Sequence, residues 1–394
     1  MNLILFDTNI VSFYPLTLTR PIAELRVGAF TISEKWNKLA KDFKVSYKTH
    51  DSLQEKFPFT VENDNIIVLS QLMPDKNLAN KVSNLINNQA LRWQDKIIAV
   101  RLGAEKLTHK PEVKNLEDYL DDDFDILEYE RPCDFLEQLT DLFTKAELFI
   151  RRDLKLIKGK YNNQLDDHCT LIGKDLMVHK TAEVLASIIN TETGPVIIEK
   201  GALVMEGCML RGPLYIAEGA VIKMGAKIYG PTVVGPYCKV GGEIGNSVFF
   251  GYSNKGHDGY LGNSIIGEWC NLGADTNTSN LKNNYGEVKR WDYVSNSLQP
   301  SGLQFCGLIM GDHSKCAINT QFNTGTTVGV FANIFKSGFP DKMVKSFTWL
   351  GDDVEEKFNL EKACEVALRV MERRKIPLSE ADQRIFEFLH NNPK

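Results

Sequence analysis

From Pro195 to Gly245 every sixth residue is aliphatic: Ile198, Val204, Leu210, Ile216, Ile222, Ile228, Val234 and Val240. Three positions after most of them stands a Gly or Pro (Gly201, Gly207, Pro213, Gly219, Gly225, Pro231), followed by a mostly small residue such as Ala202, Cys208, Ala220 or Ala226. Aliphatics make up roughly a quarter of ordinary composition, so eight in register arise by chance about 10⁻⁵ times per starting point, and the register is a repeat. A period of six is neither the roughly 3.6 of a helix nor the roughly 2 of a plain strand. It makes one short strand and one corner, with the aliphatic inward and the Gly or Pro turning the backbone. Three such sides close a triangular coil of about 18 residues, and coils stack at a strand spacing of about 4.8 Å. Each inward aliphatic contributes about 1.5–3 kcal/mol on burial. An antiparallel sandwich would instead repeat every 8–12 residues or so with alternation. The pattern predicts a triangular parallel β-helix.

Before the ladder the pattern changes. Leu3–Phe6, Lys44–Thr49, Ile66–Ser70 and Lys96–Val100 read as buried strands, and Leu78, Val82, Leu85 and Ile86 have helical spacing. That alternation predicts an α/β domain with a mainly parallel sheet. Residues 111–130 are acidic and read as a surface loop. Asp134 reads as the N-cap of a connecting helix bearing Phe135, Leu139, Leu142, Phe143, Ala146 and Phe149. The ladder breaks at Gly245. Residues 246–265 and 280–290 read as two polar excursions, with the six-residue phase back at Ile266, Leu272 and Thr278, then at Phe322, Val328 and Ile334. A stacked prism carries polar loops only on its outside, so two from neighbouring coils predict the walls of one site. After Pro340, Ala363, Val366, Ala367, Val370 and Met371 form one helical face, and Ser379 with Asp382 suggests a capping box for a last helix with Ile385, Phe386 and Leu389. These helices are expected to cover the open end of the coil or a neighbouring chain. The domains expected are therefore 1–160, 165–350 and 351–394.

Composition narrows the function classes. The 394 residues are 43% hydrophobic and 25% charged, with net charge −5, which argues against a broad nucleic-acid surface. No apolar run approaches a membrane span, and Met1–Asp7 lacks the basic lead of a signal peptide, so a cytoplasmic chain is expected. Eight cysteines without C-x-x-C spacing read as free structural thiols, and no His/Cys/Asp cluster has zinc-ligand spacing.

Two motifs carry a resemblance. Pro15-Leu16-Thr17-Leu18-Thr19-Arg20-Pro21 with Glu24-Leu25-Arg26-Val27-Gly28 is similar to the P-L-T-x-x-x-P-K-P-L-L-P-V-x-G stretch of sugar-1-phosphate nucleotidyltransferases. Here the preceding loop has no glycine, Ile22 replaces the lysine, and the strand that ends in Gly-Asp in that family ends in Ser70-Gln71. Arg20, Arg26 and Lys35 are the candidates for a phosphate pocket, or are salt-bridged scaffold. Asp75 is the candidate carboxylate for magnesium if this domain transfers nucleotides.

The second motif is longer. Lys255-Gly256-His257-Asp258-Gly259-Tyr260-Leu261-Gly262, followed by Ile266-Gly267 and Asn271-Leu272-Gly273-Ala274 through Asn280, resembles the acetyltransferase domain of the bifunctional N-acetylglucosamine-1-phosphate uridyltransferase / glucosamine-1-phosphate acetyltransferase family. The resemblance implies an α/β nucleotidyltransferase-like domain, a left-handed parallel β-helix of hexapeptide repeats, C-terminal helices and a homotrimer. It implies acetyl-CoA as co-substrate, and amino-sugar phosphates and sugar nucleotides as small-molecule partners.

Acetyl transfer to a sugar amine requires a base titrating near neutral pH, and His257 matches the family's general base. Lys255, Tyr260, Asn271 and Asn280 match sugar- and phosphate-binding positions, with Lys282 nearby; Asn271 could instead belong to an internal asparagine ladder, and Tyr260 to packing. Ala274, Asp312 and Thr324 sit at roughly the acetyl-CoA positions, and His313 and Lys315 near that groove either contact the coenzyme's phosphates or cap a corner. Backbone N–H groups at Gly273-Ala274 are candidates for the oxyanion. Leu281 stands where the family has a tyrosine. The competing reading is a trimeric sugar-nucleotide-binding scaffold without turnover.

Overall fold

The computed structural model describes residues 1–109, 113–162 and 165–394, and the chain divides into two units. The first comprises residues 1–13, 19–25 and 30–139; the second comprises 14–18, 26–29 and 140–394.

The first unit is built on a six-stranded sheet. Its first strand Asn2–Phe6 pairs in parallel with the edge strand Lys44–Lys48 on one side and Asp64–Leu69 on the other. Lys96–Gly103 then runs antiparallel, followed by Gln89–Trp93 and Asp125–Glu128. Helix Ile32–Leu39 begins at a capping box between Thr31 and Glu34, and Asp75 caps helix Lys76–Ser83 by accepting from the Leu78 N–H at 2.7 Å.

Two expectations are corrected here. The acidic stretch is not all loop, since Asp125–Glu128 is the sheet's edge strand; its charges suit an edge that faces water. Residues 111 and 112 of that stretch lie outside the described residues. Nor does Asp134 cap a helix: Asp134–Phe135 pairs as a strand with Leu72–Met73, and the next helix starts at Asp141. Propensity for a cap lost to a sheet partner that local sequence does not reveal.

The second unit is a three-sided parallel β-helix. Its first face has the inward column Val178, Ile198, Ile216, Val234, Phe249, Ile266, Met310, Val328 and Val344, each in register with the next. The eight aliphatics of the ladder all lie inside, at most 2% exposed. At each end of the stack one face receives an antiparallel strand, Tyr161–Asn162 on the first face and Glu355–Lys357 on the second. Each covers the parallel edge of the one face it pairs with.

The break at Gly245 is not an excursion. Glu243–Gly245 closes one coil, and Val248–Gly251, Asn254–Lys255 and Tyr260–Gly262 form the next complete coil, in register with it. The inward residues become Ile244, Phe249, Lys255 and Leu261, so shortened sides shift the phase and a lysine takes an aliphatic place. Only residues 280–307 leave the coil, carrying an antiparallel ribbon of Lys289–Asp292 with Ser297–Pro300. The coil then resumes at Ile309–Met310, earlier than the aliphatic phase suggested, because Met310 and Cys316 fill inward positions.

One corner carries an aromatic ladder. Tyr237, Tyr252, Trp269, His313, Phe331 and Phe347 all take positive φ at successive corners, and neighbouring rings stack with centroids 4.3–6.2 Å apart. The last helix, Glu380–Asn391, starts at the expected Ser379/Asp382 capping box and sets Phe386 edge-on to His313 and Phe331, and His390 edge-on to Phe347. It therefore covers a flank of the coil, rather than its end. All eight cysteines are free.

Candidate functional site

Lys255 is the structural anomaly of the coil. Its side chain is fully buried on the second face, in register with Val240, and its Nζ donates to the carbonyls of His257 at 2.8 Å and Asp258 at 2.9 Å. Burial lowers its pKa to about 8, against the raising pull of Asp258, Cys316 and Asp275. The amine therefore holds the 257–258 turn from beneath. This corrects its expected part as a phosphate contact, because its donors face inward. His257 itself is exposed, and among the described residues its imidazole makes no hydrogen bond.

Tyr260 and Asn280 come together on the third face. Asn280 Nδ2 donates to the Tyr260 hydroxyl at 3.0 Å and to Asn263 Oδ1 at 2.8 Å. The Tyr260 hydroxyl also bonds Tyr229, whose own hydroxyl donates to Glu243 at 2.8 Å. Tyr229 and Glu243 were missed in the sequence, although six-residue arithmetic puts Tyr229 one residue after inward Ile228, facing out. The Tyr229 ring lies over Gly245, where a Cβ would come within 2.7 Å of it. Asn277 joins the group by accepting from the Tyr260 N–H at 2.8 Å. Asn271 is exposed in an outward row with Asn254 and Lys315, so the internal asparagine ladder does not exist at this position.

The remaining acetyl-coenzyme candidates separate. Ala274 is half-buried at a corner, but Asp312 is buried and accepts from the Glu268 N–H at 2.8 Å. Thr324 is buried, with Lys342 Nζ donating to it at 3.3 Å. Both therefore serve the coil's own backbone and neighbours. His313 belongs to the aromatic ladder, and Lys315 Nζ donates to the His313 carbonyl at 2.8 Å, so neither faces a groove. The Gly273 N–H is taken by the Cys316 carbonyl at 3.1 Å, which leaves Ala274 as the oxyanion candidate of the pair. Lys282 stands on the excursion and donates to the Glu287 carbonyl.

In the first unit the carboxyl ends of the three parallel strands converge where the strand order reverses, the usual place for a ligand. Asp7 fills it. Its carboxylate accepts from Thr49 Oγ1 at 2.5 Å and the Ile22 N–H at 3.2 Å. Burial, outweighing these bonds, raises its pKa to about 6. Beside it Gln71 Nε2 donates to the Thr8 carbonyl at 2.6 Å. Glu24 is also held above the ordinary carboxylate range, first by burial, while Ser33, Tyr47 and Arg20 oppose that rise.

Arg20 and Lys35 are buried in this unit, and Arg26 belongs to the second. There Arg26 donates from Nε to the Phe250 carbonyl at 3.0 Å and from Nη1 to the Ala29 carbonyl at 2.7 Å. The donors of Arg26 are thus given to backbone carbonyls of its own unit. Asp75, the expected magnesium carboxylate, is occupied as a helix cap, and among the described residues no group of three or more His, Cys, Asp or Glu could hold a metal ion.

A sugar nucleotidyl transferase family model matches residues 3–161. The bifunctional protein GlmU of Methanocaldococcus jannaschii is 30% identical over 282 residues, covering 61% of this chain and 67% of that protein. Its counterpart from Methanococcus aeolicus is 32% identical over 279 residues, covering 68% of this chain and 59% of that protein. A bifunctional sugar-1-phosphate nucleotidylyltransferase/acetyltransferase of Sulfurisphaera tokodaii is 35% identical over 144 residues, covering 36% of this chain and 35% of that protein. A nucleotidyltransferase-like unit precedes a hexapeptide coil in one polypeptide, and the matches run across both. The chain belongs to the GlmU-like family of bifunctional sugar-1-phosphate nucleotidylyltransferases and acetyltransferases.

Proposed function

We propose that this chain transfers an acetyl group from acetyl-CoA to the amine of an amino-sugar phosphate of the glucosamine-1-phosphate kind, in the making of a sugar nucleotide. The observation that carries the reading is the turn at His257. It presents an exposed imidazole on a backbone anchored from below by Lys255. In the proposed reaction His257 takes the proton from the sugar's ammonium. The freed amine attacks the thioester carbonyl, and the Ala274 N–H meets the oxyanion. Collapse of that intermediate expels the coenzyme thiolate, which takes up a proton, and leaves the amide. Tyr260 and Asn280, with Asn271 on the neighbouring face, supply hydroxyl and amide groups for the sugar. The reading includes a cytoplasmic homotrimer, as the family resemblance implies; among the described residues no helix is long and apolar enough to cross a membrane. Acetyl-CoA consumption with glucosamine-1-phosphate tests it: wild type turns over and His257→Ala does not. Equal rates remove His257 from the mechanism.

A second reading concerns the first unit alone and rests on Asp7. A buried carboxylate at the strand ends repels nucleotide phosphates and occupies the backbone N–H of Ile22. This unit is then a non-catalytic relative of the nucleotidyltransferases. The test is pyrophosphate release from UTP and N-acetylglucosamine-1-phosphate with magnesium: none is expected, and release at a rate above background overturns this part.

A further inference from the structure

Four cations gather on the second face of the coil beside the His257 turn. Val221, Lys239 and Asn254 stand side by side in register. Lys223 lies two residues after Val221, and its stem runs against Gly241 and Gly256. From the turn after helix Leu360–Glu372, Arg374 reaches Asn254 Oδ1 at 3.4 Å, with Arg373 next to it. Among the described residues none of the four makes an ion pair, whereas Lys200 on a neighbouring coil is paired with Glu218 at 3.0 Å. Lys239 is held below its ordinary pKa first by burial, then by the charges of Arg374, Lys223 and Arg373, with no carboxylate among the causes. Glu372 precedes Arg373 and Glu243 follows Lys239 by four residues, and Asp258, beyond His257, packs its backbone over Gly242. Space over Gly256 is open: a Cβ there would meet only Lys223 Cγ, at 4.0 Å.

Like charges drawn together without a counter-charge raise the energy of the folded chain, and an anion between them relieves it. We propose that Lys223, Lys239, Arg373 and Arg374 form one anion site, which holds the phosphate or diphosphate of the ligand whose reacting end lies at His257. The inference rests on the acetyl-transfer reading for that last clause. Phosphate is the shared chemistry of two sources, the acceptor sugar phosphate and the nucleotide end of the thioester donor.

Calorimetric titration of the full chain with inorganic pyrophosphate, acetyl-CoA and glucosamine-1-phosphate tests the site. The variant is Lys239→Gln with Arg373→Gln, two exposed residues whose loss leaves the core untouched. Pyrophosphate affinity is expected to fall about tenfold at fixed ionic strength, and Lys239→Arg to keep it. A matching fall for acetyl-CoA assigns the site to the donor; a fall for glucosamine-1-phosphate assigns it to the acceptor. Unchanged affinity for all three overturns the proposal, as does single-stranded RNA binding more tightly than any of them and losing that binding in the variant. Normal turnover with unchanged pyrophosphate affinity removes the site and keeps the acetyl-transfer reading. Lost pyrophosphate binding in a protein that turns nothing over keeps the site and removes that reading.

Discussion

Asp7 follows the first strand of the first unit, and His257 follows a strand on the second face of the coil. Asp7 is enclosed, bonded by Thr49 and the Ile22 N–H, and raised to about 6 by burial. His257 is exposed, and the chain binds only its backbone, through the amine of Lys255. A side chain whose donors and acceptors are all met internally serves the fold. One left open on a tethered backbone is available to a ligand. The two units of one chain have thus treated their inherited ligand positions in opposite ways.

Four substitutions test this contrast, in order of expected size. His257→Ala should lower acetyl transfer about 10²–10⁴-fold with an unchanged circular dichroism spectrum; a smaller loss would mean the open imidazole is idle. The next concerns the enclosed acid. The folded chain binds a proton at Asp7 more tightly than the unfolded chain does, so its contribution to stability is present below about pH 3.8 and lost as pH rises through about 6. Asp7→Asn should accordingly stabilise the protein at pH 7.5 by up to about 3 kcal/mol and not at pH 4. Denaturant melts at the two pH values measure this, and an equal effect at both would show that the site is not sealed.

Lys255→Met fills the same inward place with an apolar chain. It should cut kcat about tenfold while both KM values stay within about twofold, at unchanged or higher stability. Because the native pKa of Lys255 is lowered to about 8, wild type should gain stability relative to this variant as pH rises from about 8 towards 10.5. A variant with normal kcat would show that the turn needs no tether. Tyr237→Ala removes the outer ring of the ladder, 5.4 Å from Tyr252, and should cost about 0.5–1.5 kcal/mol in urea without touching turnover.

Much of the coil was legible because one rule, an aliphatic every six residues, is enforced by the closed prism. The C-terminal helix was legible because Ser379 and Asp382 satisfy each other locally. What escaped did so for identifiable reasons. The coil at 243–262 hides behind shortened sides and an inward lysine whose partners are carbonyls, which no side-chain pattern advertises. Asp134 obeyed a distant strand, and Asp125–Glu128 joined a sheet edge that tolerates charge. At the site, the motif gave His257, Tyr260 and Asn280. The link from Asn280 through Tyr260 and Tyr229 to Glu243 depends on which residues face outward on stacked coils. Asp312, Thr324 and His313 looked available in the sequence because their burial is a property of the stack.

The amine under the His257 turn also offers a clock. With a pKa near 8, a large share of Lys255 is uncharged, and so nucleophilic, in mildly alkaline buffer. Burial shields it from reagents that acylate surface lysines within minutes. Its labelling rate, followed by mass spectrometry, therefore reports how often that corner of the prism breathes open.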